Sequence, residues 1–155
     1  MLSLEDFKSL VKSAPLFSID LVVLNEHRQI LVGMRRKAPA KGYWFVPGGR
    51  VFKGESLAEA FARITNTELG HEFDYSFATH LGLYDHFYAD SVFGGNISTH
   101  YINAPYLIML PDNTKLNAPT DQHQGYRWVA IDDLTNDETV HRFSKVFLLQ
   151  LLKLI

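Results

Sequence analysis

The chain has 155 residues, of which 46% are hydrophobic and 21% charged, and its formal net charge is −2 at neutral pH. This length fits one domain, expected over residues 1–155, and the slightly acidic charge argues against a nucleic-acid or membrane-surface partner. The chain contains no cysteine, which excludes disulfides and thiolate metal sites. We therefore expect a protein of a reducing compartment, the cytoplasm.

The first third of the chain alternates between helical and strand-like patterns. Residues 4–14 carry apolar side chains at helical spacing, and Pro15 ends that helix. Residues 16–36 predict a β-hairpin around the polar turn 25–29. Residues 38–50 predict a loop that contains a short aromatic strand, 43–45, whose rings are expected in the core. The glycine pair that follows Pro47 predicts a sharp break.

A helix is predicted over residues 57–69. Ser56 can cap it, Glu59 completes a Ser-x-x-Glu capping box, and Gly70 ends it. At 100° per residue one narrow stripe of this helix carries Leu57, Phe61, Ile64 and Glu68. Glu68 is therefore expected on the buried face, where a carboxylate needs a cation, hydrogen-bond donors or a proton.

The second half predicts three more strands and a final helix. Residues 77–88 and 100–110 are expected as strands joined by a glycine-rich loop, and residues 126–131 as a last short strand. Residues 140–155 predict an amphipathic helix that packs on the sheet or buries its apolar side against a second subunit. The irregular alternation of strands and helices indicates an α/β fold with a mixed sheet flanked by helices.

The start of the helix 57–69 has the chemistry of a metal and diphosphate site. The glycines before it allow backbone carbonyls to approach a ligand, and Mg²⁺ prefers carbonyl and carboxylate oxygens together with water and substrate phosphates. Arg50 and Arg63 suit bidentate phosphate binding. Two structural alternatives stay open, namely an i,i+4 pair of Arg63 with Glu59 and an ion pair of Glu68 with a nearby arginine.

Residues 49–70 resemble the Nudix box, whose general pattern is G-x5-E-x7-R-E-U-x-E-E-x-G-U with U an aliphatic residue. The positions that match in register are Gly49, Glu55, Arg63, Glu68 and Gly70. Two glutamates and two aliphatic positions of the box are replaced, by Ile64, Thr67, Thr65 and His71. A box without these two acids is similar to that of the GDP-mannose mannosyl hydrolase subgroup. The segments "GYWFVPGGR", "HFY", "THY", "DQH" and "YRW" resemble segments of that subgroup in the same order.

The resemblance implies a Nudix-type α/β/α sandwich, a homodimer, and hydrolysis of GDP-mannose or GDP-glucose to GDP and free hexose. Typical Nudix enzymes attack phosphorus with several Mg²⁺ ions held by clustered acids. Loss of two carboxylates leaves ligands for one Mg²⁺ per subunit, for which Mn²⁺ can substitute. The reaction can then move to the anomeric carbon, where water attacks with inversion through an oxocarbenium-like transition state.

The resemblance also assigns roles to single residues. It implies that the Gly49 carbonyl, Glu68 and Gln122 bind the metal. It implies that Arg50, Tyr101 and Arg35, or Arg36 beside it, hold the diphosphate.

At the sugar, the resemblance gives Asp20 a hydroxyl contact and His86 an assisting role. It makes His123 the general base, which agrees with a polar loop able to close over the site and with the suitability of histidine near neutral pH. His86 and His100 are the alternatives, although each lies in a strand-like context where a hydrogen-bonded structural histidine is expected.

Two other functions remain open at this point. The first is a pyrophosphohydrolase that cleaves the P–O–P bond of a nucleoside diphosphate derivative. The second is a ligand-binding module with a decayed box and no turnover.

Overall fold

The computed structural model describes residues 1–116 and 123–155, with all their side chains except those of His123 and Gln124. The strands are β1 Leu16–Leu24, β2 Gln29–Arg35, β3 Trp44–Phe45, β4 Gly48–Arg50, β5 Ala78–His80, β6 Tyr84–Tyr88, β7 Thr99–Met109 and β8 His123–Ala130. The α-helices are α1 Leu4–Ser13, α2 Leu57–Leu69, α3 Ile131–Leu134 and α4 Leu148–Leu152, with 3₁₀ turns at Tyr75–Phe77 and Arg142–Ser144. None of the helices in these ranges has the length and apolar character needed to cross a membrane.

The strands form one mixed sheet with the order β3-β2-β1-β7-β5. β1 runs parallel to β7 along its whole length, whereas the other described strand pairs are antiparallel. β4 also pairs with β1, β6 with β7, and β8 with β2. Because β4 and β6 flank the β1–β7 pair, residues from both strands can face the same end of the sheet.

Helices and loops cover both faces of this sheet, which makes the fold an α/β sandwich. Side chains alternate between the two faces of a strand. In β1, Ile19, Leu21 and Val23 lie on one face and join a core with α2. Val22 and Leu24 lie on the other face and join a second core with the C-terminal segment. The first core includes Phe61, Ile64, Leu69, Phe73 and Tyr106, and the second Phe45, Leu134, Phe143, Phe147 and Leu151.

Several predicted elements are confirmed. The helix ends before Pro15, and β1 and β2 form the hairpin with Asn25 Oδ1 accepting the backbone N–H of Gln29 in its turn. Ser56 and Glu59 form the capping box of α2, and Gly70 takes the left-handed conformation at its end.

Other predictions of local structure are wrong. The strand predicted over 77–88 is divided into β5 and β6, because Gly82 adopts a positive φ of 112° between them. The break predicted after Pro47 is instead a short strand, since residues 48–50 pair with β1. The last strand begins at His123, three residues before its predicted start, and Ile131 already belongs to α3.

The C-terminal segment is not the single helix predicted over 140–155. Its first residues are tied to β3 and its neighbour: Val140 bridges Trp44, and the Ser144 hydroxyl accepts the backbone N–H of Val46 at 2.9 Å. These tertiary contacts outweigh the helical spacing of the apolar residues, and only the short helix α4 forms in this segment. The aromatic run is also only partly core, because Phe45 is buried, Trp44 is half-buried and Tyr43 is exposed.

Candidate active site

A cleft of about 360 Å³ lies where β1, β4 and α2 meet β6 and β7. Its walls include eight of the residues predicted for the site, namely Asp20, Arg35, Gly49, Arg50, Arg63, Glu68, His86 and Tyr101. The sequence separates these residues by up to 81 positions, and the sheet brings them together.

The remaining predicted residues divide into two groups. Arg36 and His100 are described and lie outside the cleft lining. His100 is a hydrogen-bonded histidine, as its strand context predicts, with Nε2 2.9 Å from Asp85 Oδ1. Gln122 and the side chain of His123 lie outside the described residues. The backbone of His123 pairs with Arg35, which places this position beside a strand residue of the cleft wall.

α2 presents Glu68 to the cleft from its buried face. The buried face contains Ala60, Phe61, Ile64, Thr65, Glu68 and Leu69, whereas Leu57, predicted on it, is 40% exposed at the first turn. Ile64 and Thr67, which stand where the Nudix box has acids, line the cleft beside Glu68. The Tyr126 hydroxyl contacts the Glu68 carbonyl at 3.4 Å, linking β8 to the last turn of α2.

The glycine pair of β4 allows two close approaches. A Cβ on Gly48 would lie 2.5 Å from both Asp20 Oδ1 and the Ile19 carbonyl oxygen. A Cβ on Gly49 would lie 3.1 Å from Ile64 Cγ1. Glycine at these positions therefore lets β4 lie directly against β1 on one side and against α2 on the other.

Asp20 is a buried carboxyl at the floor of the cleft. Burial raises its pKa to about 7, a hydrogen bond from Asn103 and the charge of Arg35 oppose this rise, and the negative charge of Glu68 adds to it. Oδ2 has no hydrogen-bond partner among the described residues. A cation or a ligand hydroxyl entering the cleft would favour the Asp20 anion, since either one stabilises its charge.

Two arginines form the cationic side of the cleft. Arg63 donates to both carboxylate oxygens of Glu55, from Nε at 2.7 Å and from Nη2 at 2.9 Å. The alternative pair of Arg63 with Glu59 is therefore wrong, because Glu59 serves the helix cap. Arg63 Nη2 also donates to the Arg50 carbonyl at 2.8 Å, so the side chain of one arginine is bonded to the backbone of the other.

His86 lies in an aromatic wall of the cleft. Its ring stacks on Phe143 at 4.4 Å with an interplanar angle of 5° and contacts Phe45 and Tyr88 edge-on. Burial lowers the pKa of His86 to about 4, so the ring is neutral at pH 7. Nε2 of His86 is buried and has no hydrogen-bond partner among the described residues. The prediction that His86 is a hydrogen-bonded histidine is therefore wrong.

Several side chains of the cleft were not predicted from the sequence. Tyr88 and Asn103 both line it. Each lies two residues after a predicted site residue on the same strand, so the two-residue period of a strand was a usable signal. Ser18, two residues before Asp20, accepts a hydrogen bond from Asn103 Nδ2 at 2.8 Å. Phe52 also lines the cleft, and no local pattern marked it.

The described part of the predicted donor set fits a hard divalent cation. Glu68 offers a carboxylate and Gly49 a carbonyl, and Mg²⁺ completes its octahedron with water and substrate phosphate oxygens. Among the described side chains no three of the His, Asp or Glu type come together as a metal site. These two described donors would suit a cation that takes most of its ligands from water and substrate.

Comparison with known proteins gives three findings. The family model described as the NUDIX domain matches residues 15–151. The chain is 39% identical over 109 residues to the low-salt glycan biosynthesis protein Agl8 of Haloferax volcanii, a match that covers 70% of this chain and 68% of that protein. A MutT NUDIX hydrolase from Burkholderia pseudomallei has a similar structure, with a TM-score of 0.71, 26% identity, and coverage of 89% of this chain and 98% of that one.

A fourth similarity concerns the fold alone. The NUDIX domain of Shewanella oneidensis NrtR, solved in complex with ADP ribose, superposes with a TM-score of 0.68 over 98% of both chains at 15% identity.

Proposed function

Because the chain belongs to the Nudix family of hydrolases, whose members generally use divalent metals, we propose that it hydrolyses GDP-mannose to GDP and mannose. GDP-glucose is the second substrate that we propose. The observation that carries this proposal is the lining of the cleft beside Glu68, where Ile64 and Thr67 replace two acids. A site with so few ligands favours one Mg²⁺ and attack at carbon over the several ions used for attack at phosphorus.

The similarity to Agl8 supports a sugar-containing substrate, since the name of that protein refers to glycan biosynthesis. The cleft also combines two environments that suit the two halves of such a substrate. Arg50 and Arg63 line the cleft and suit a diphosphate, and the aromatic wall around His86, which also lines the cleft, suits the sugar.

The proposed roles at the diphosphate follow from charge. A divalent cation held by Gly49, Glu68 and Gln122 would neutralise negative charge on the departing GDP. Arg35, Arg50 and Tyr101 would donate hydrogen bonds to the diphosphate oxygens, which gain charge as the bond to the sugar breaks. Burial raises the pKa of Tyr101, so its hydroxyl keeps the proton that it donates.

The proposed roles at the sugar concern the attacking water and the developing cation. His123 would take a proton from water as the water oxygen bonds to the anomeric carbon, and the C–O electron pair would leave with GDP. Asp20 would accept a hydrogen bond from a sugar hydroxyl, and its anion would stabilise the oxocarbenium-like charge. Neutral His86 would hydrogen bond to the hexose through its unpartnered Nε2.

The test is the position of the broken bond. The protein is incubated with GDP-mannose and Mg²⁺ in ¹⁸O-labelled water, and the products are analysed by mass spectrometry. Label in free mannose with unlabelled GDP supports the proposal. GMP and mannose 1-phosphate would establish the pyrophosphohydrolase instead, and binding without turnover would establish the ligand-binding module.

We also propose a cytoplasmic homodimer. The C-terminal segment exposes the large apolar side chains of Val146, Leu149, Leu152 and Leu154, which suit burial against a second subunit. Sedimentation equilibrium of the wild type and of Leu149→Glu tests the dimer: the wild type should sediment as a dimer and the variant as a monomer.

A further inference from the structure

The ring of Phe52 contacts both guanidinium groups on the cationic side of the cleft. Its centroid lies 3.8 Å from Arg63 Cζ and 4.9 Å from Arg50 Cζ. Cations within about 6 Å of an aromatic centroid are attracted by the negative face of the ring. Phe52 is 37% exposed and lines the cleft, so its ring faces the ligand space rather than the core.

The two arginines are held in different ways. Arg63 is fixed by hydrogen bonds to Glu55 and to the Arg50 carbonyl. Within the described part of the chain, the Arg50 guanidinium makes no hydrogen bond, and it is held by the rings of Phe52 and of Phe7, the latter at 5.0 Å. A ring contact uses the face of the guanidinium, so the N–H donors at its edge stay available for anionic oxygens.

The same turn that carries Phe52 also reduces the repulsion between the two cations. Glu55 Oε1 accepts the backbone N–H of Phe52 at 2.7 Å, and hydrogen bonding to Arg63 lowers the pKa of Glu55, as does the charge of Arg50. The negative charge of the Glu55 carboxylate and the partial negative charge on the face of the Phe52 ring thus both lie near the two arginines.

We propose that Phe52 is a positioning residue that orients Arg50 and Arg63 for the diphosphate of the substrate. It acts through the arginines and makes no bond to the reacting atoms. The identity of the substrate as a nucleoside diphosphate sugar rests on the proposed function, whereas the diphosphate contact can be tested without it.

The test compares Phe52→Leu with Phe52→Tyr, which keeps the ring. Binding of inorganic diphosphate with Mg²⁺ is measured by calorimetry, and kcat and KM with GDP-mannose. Phe52→Leu should weaken diphosphate binding about tenfold, the size of two cation–π contacts at a part-exposed site, and Phe52→Tyr should bind as the wild type does. Phe77→Leu, at an exposed phenylalanine outside the cleft, is the matched control and should change neither measurement.

A double-mutant cycle separates positioning from a general structural effect. In the Arg50→Gln, Arg63→Gln background the Phe52→Leu substitution should cause little further loss of affinity, because the groups it orients are gone. An equal loss in both backgrounds would overturn the proposal, as would wild-type affinity in Phe52→Leu or no binding of diphosphate to the wild type. If diphosphate binding shows the coupling but GDP-mannose is not hydrolysed, the proposed function fails and the role of Phe52 stands.

Discussion

Glu68 and its two neighbours on α2, Ile64 and Thr67, are the side chains on which the proposed site of bond cleavage rests. A carboxylate at Glu68 offers a hard oxygen ligand to the cleft, whereas Ile64 offers none and Thr67 only a hydroxyl. The difference between attack at phosphorus and attack at carbon would then depend on two side chains one helical turn apart.

We expect Glu68→Gln to lower kcat by roughly 10²-fold or more at saturating GDP-mannose, because the neutral amide is a weaker ligand for the cation that would neutralise the departing diphosphate. The substitution keeps the shape of the side chain and removes its charge. Glu72→Gln, which changes an exposed glutamate just beyond the same helix, should keep wild-type kcat. The measurement is steady-state kinetics over a range of Mg²⁺ concentrations, and a Glu68→Gln enzyme with unchanged kcat and Mg²⁺ dependence would contradict the ligand assignment.

His123→Ala should remove the acidic limb of the pH–rate profile. If His123 is the general base, kcat of the wild type falls as the imidazole protonates, with a midpoint near the ordinary histidine pKa of about 6.5. The variant should be slower and should lack this limb. Retention of the wild-type rate and profile would show that another group takes the proton.

At the scale of residues, the sequence predicted what periodicity and charge can reveal. The burial of Glu68 followed from its helical stripe, whereas Asp20 was expected at the site only through the family resemblance. Phe52 and Arg50 could not be paired in the same way, because their contact depends on the path of the turn 52–55. The predicted ion pair of Arg63 with Glu59 was wrong, because sequence spacing alone does not show that the turn before α2 brings the Glu55 carboxylate to Arg63.

At the scale of elements, β4 joins the sheet to the side of the cleft that carries Glu68. Its three residues pair with β1, and its glycines let it touch Asp20 on one side and Ile64 on the other. A single glycine would satisfy a turn, but two close approaches by consecutive residues require a pair. The sequence marked this pair as a break in the chain, because strand pairing of so short a segment leaves no periodic signal.

Gly48→Ala should be more damaging than Gly49→Ala. The new methyl group of Gly48→Ala would meet a backbone oxygen and Asp20 at 2.5 Å, so β4 must move, whereas that of Gly49→Ala meets a side-chain carbon at 3.1 Å that can shift. We expect Gly48→Ala to lose about 2 kcal/mol or more of unfolding free energy, the ordinary cost of overpacking, and Gly49→Ala about 1 kcal/mol or less.

Urea unfolding of both variants measures this difference. Gly95→Ala, whose added Cβ meets nothing within 4 Å, is the control and should unfold as the wild type does. Equal losses at positions 48 and 49 would contradict the close approach of β4 to β1.

The elements near the C-terminus show where sequence prediction fails for a physical reason. The spacing of apolar residues over 140–155 is helical, yet the Ser144 hydroxyl accepts the backbone N–H of Val46 and the ring of Phe143 stacks on His86. Contacts with residues far earlier in the chain, 98 positions earlier in the case of Ser144, outweigh the local preference. α2, by contrast, carries its own cap and stop signals, and its predicted bounds are correct.

At the scale of the whole molecule, the C-terminal segment closes the aromatic wall of the cleft. His86 comes from the sheet and is 2% exposed, while His141 and Phe143 come from the segment that covers it. Burial lowers the pKa of both histidines to about 4. The contact between the sheet and its C-terminal cover therefore depends on two neutral imidazole rings.

This arrangement predicts that acid destabilises the fold. A histidine whose pKa is lower in the folded state stabilises the fold fully above its unfolded pKa, and that stabilisation is lost as the pH falls toward the folded pKa. For His86 the window runs from 6.5 down to about 4. We expect His86 alone to cost the wild type about 2 kcal/mol between about pH 7.5 and about pH 5, and His141 shifts the stability in the same direction.

Urea unfolding at the two pH values tests this with His86→Phe, which keeps an aromatic ring that cannot be protonated. The variant should lose about 2 kcal/mol less than the wild type on acidification, whatever its stability at neutral pH. His27→Gln, which removes an exposed histidine, should keep the wild-type slope. If the wild type and His86→Phe lose the same free energy of unfolding on acidification, the C-terminal cover does not keep His86 neutral. Water or a negative charge must then reach the ring in the folded protein, contrary to the packing seen around His86.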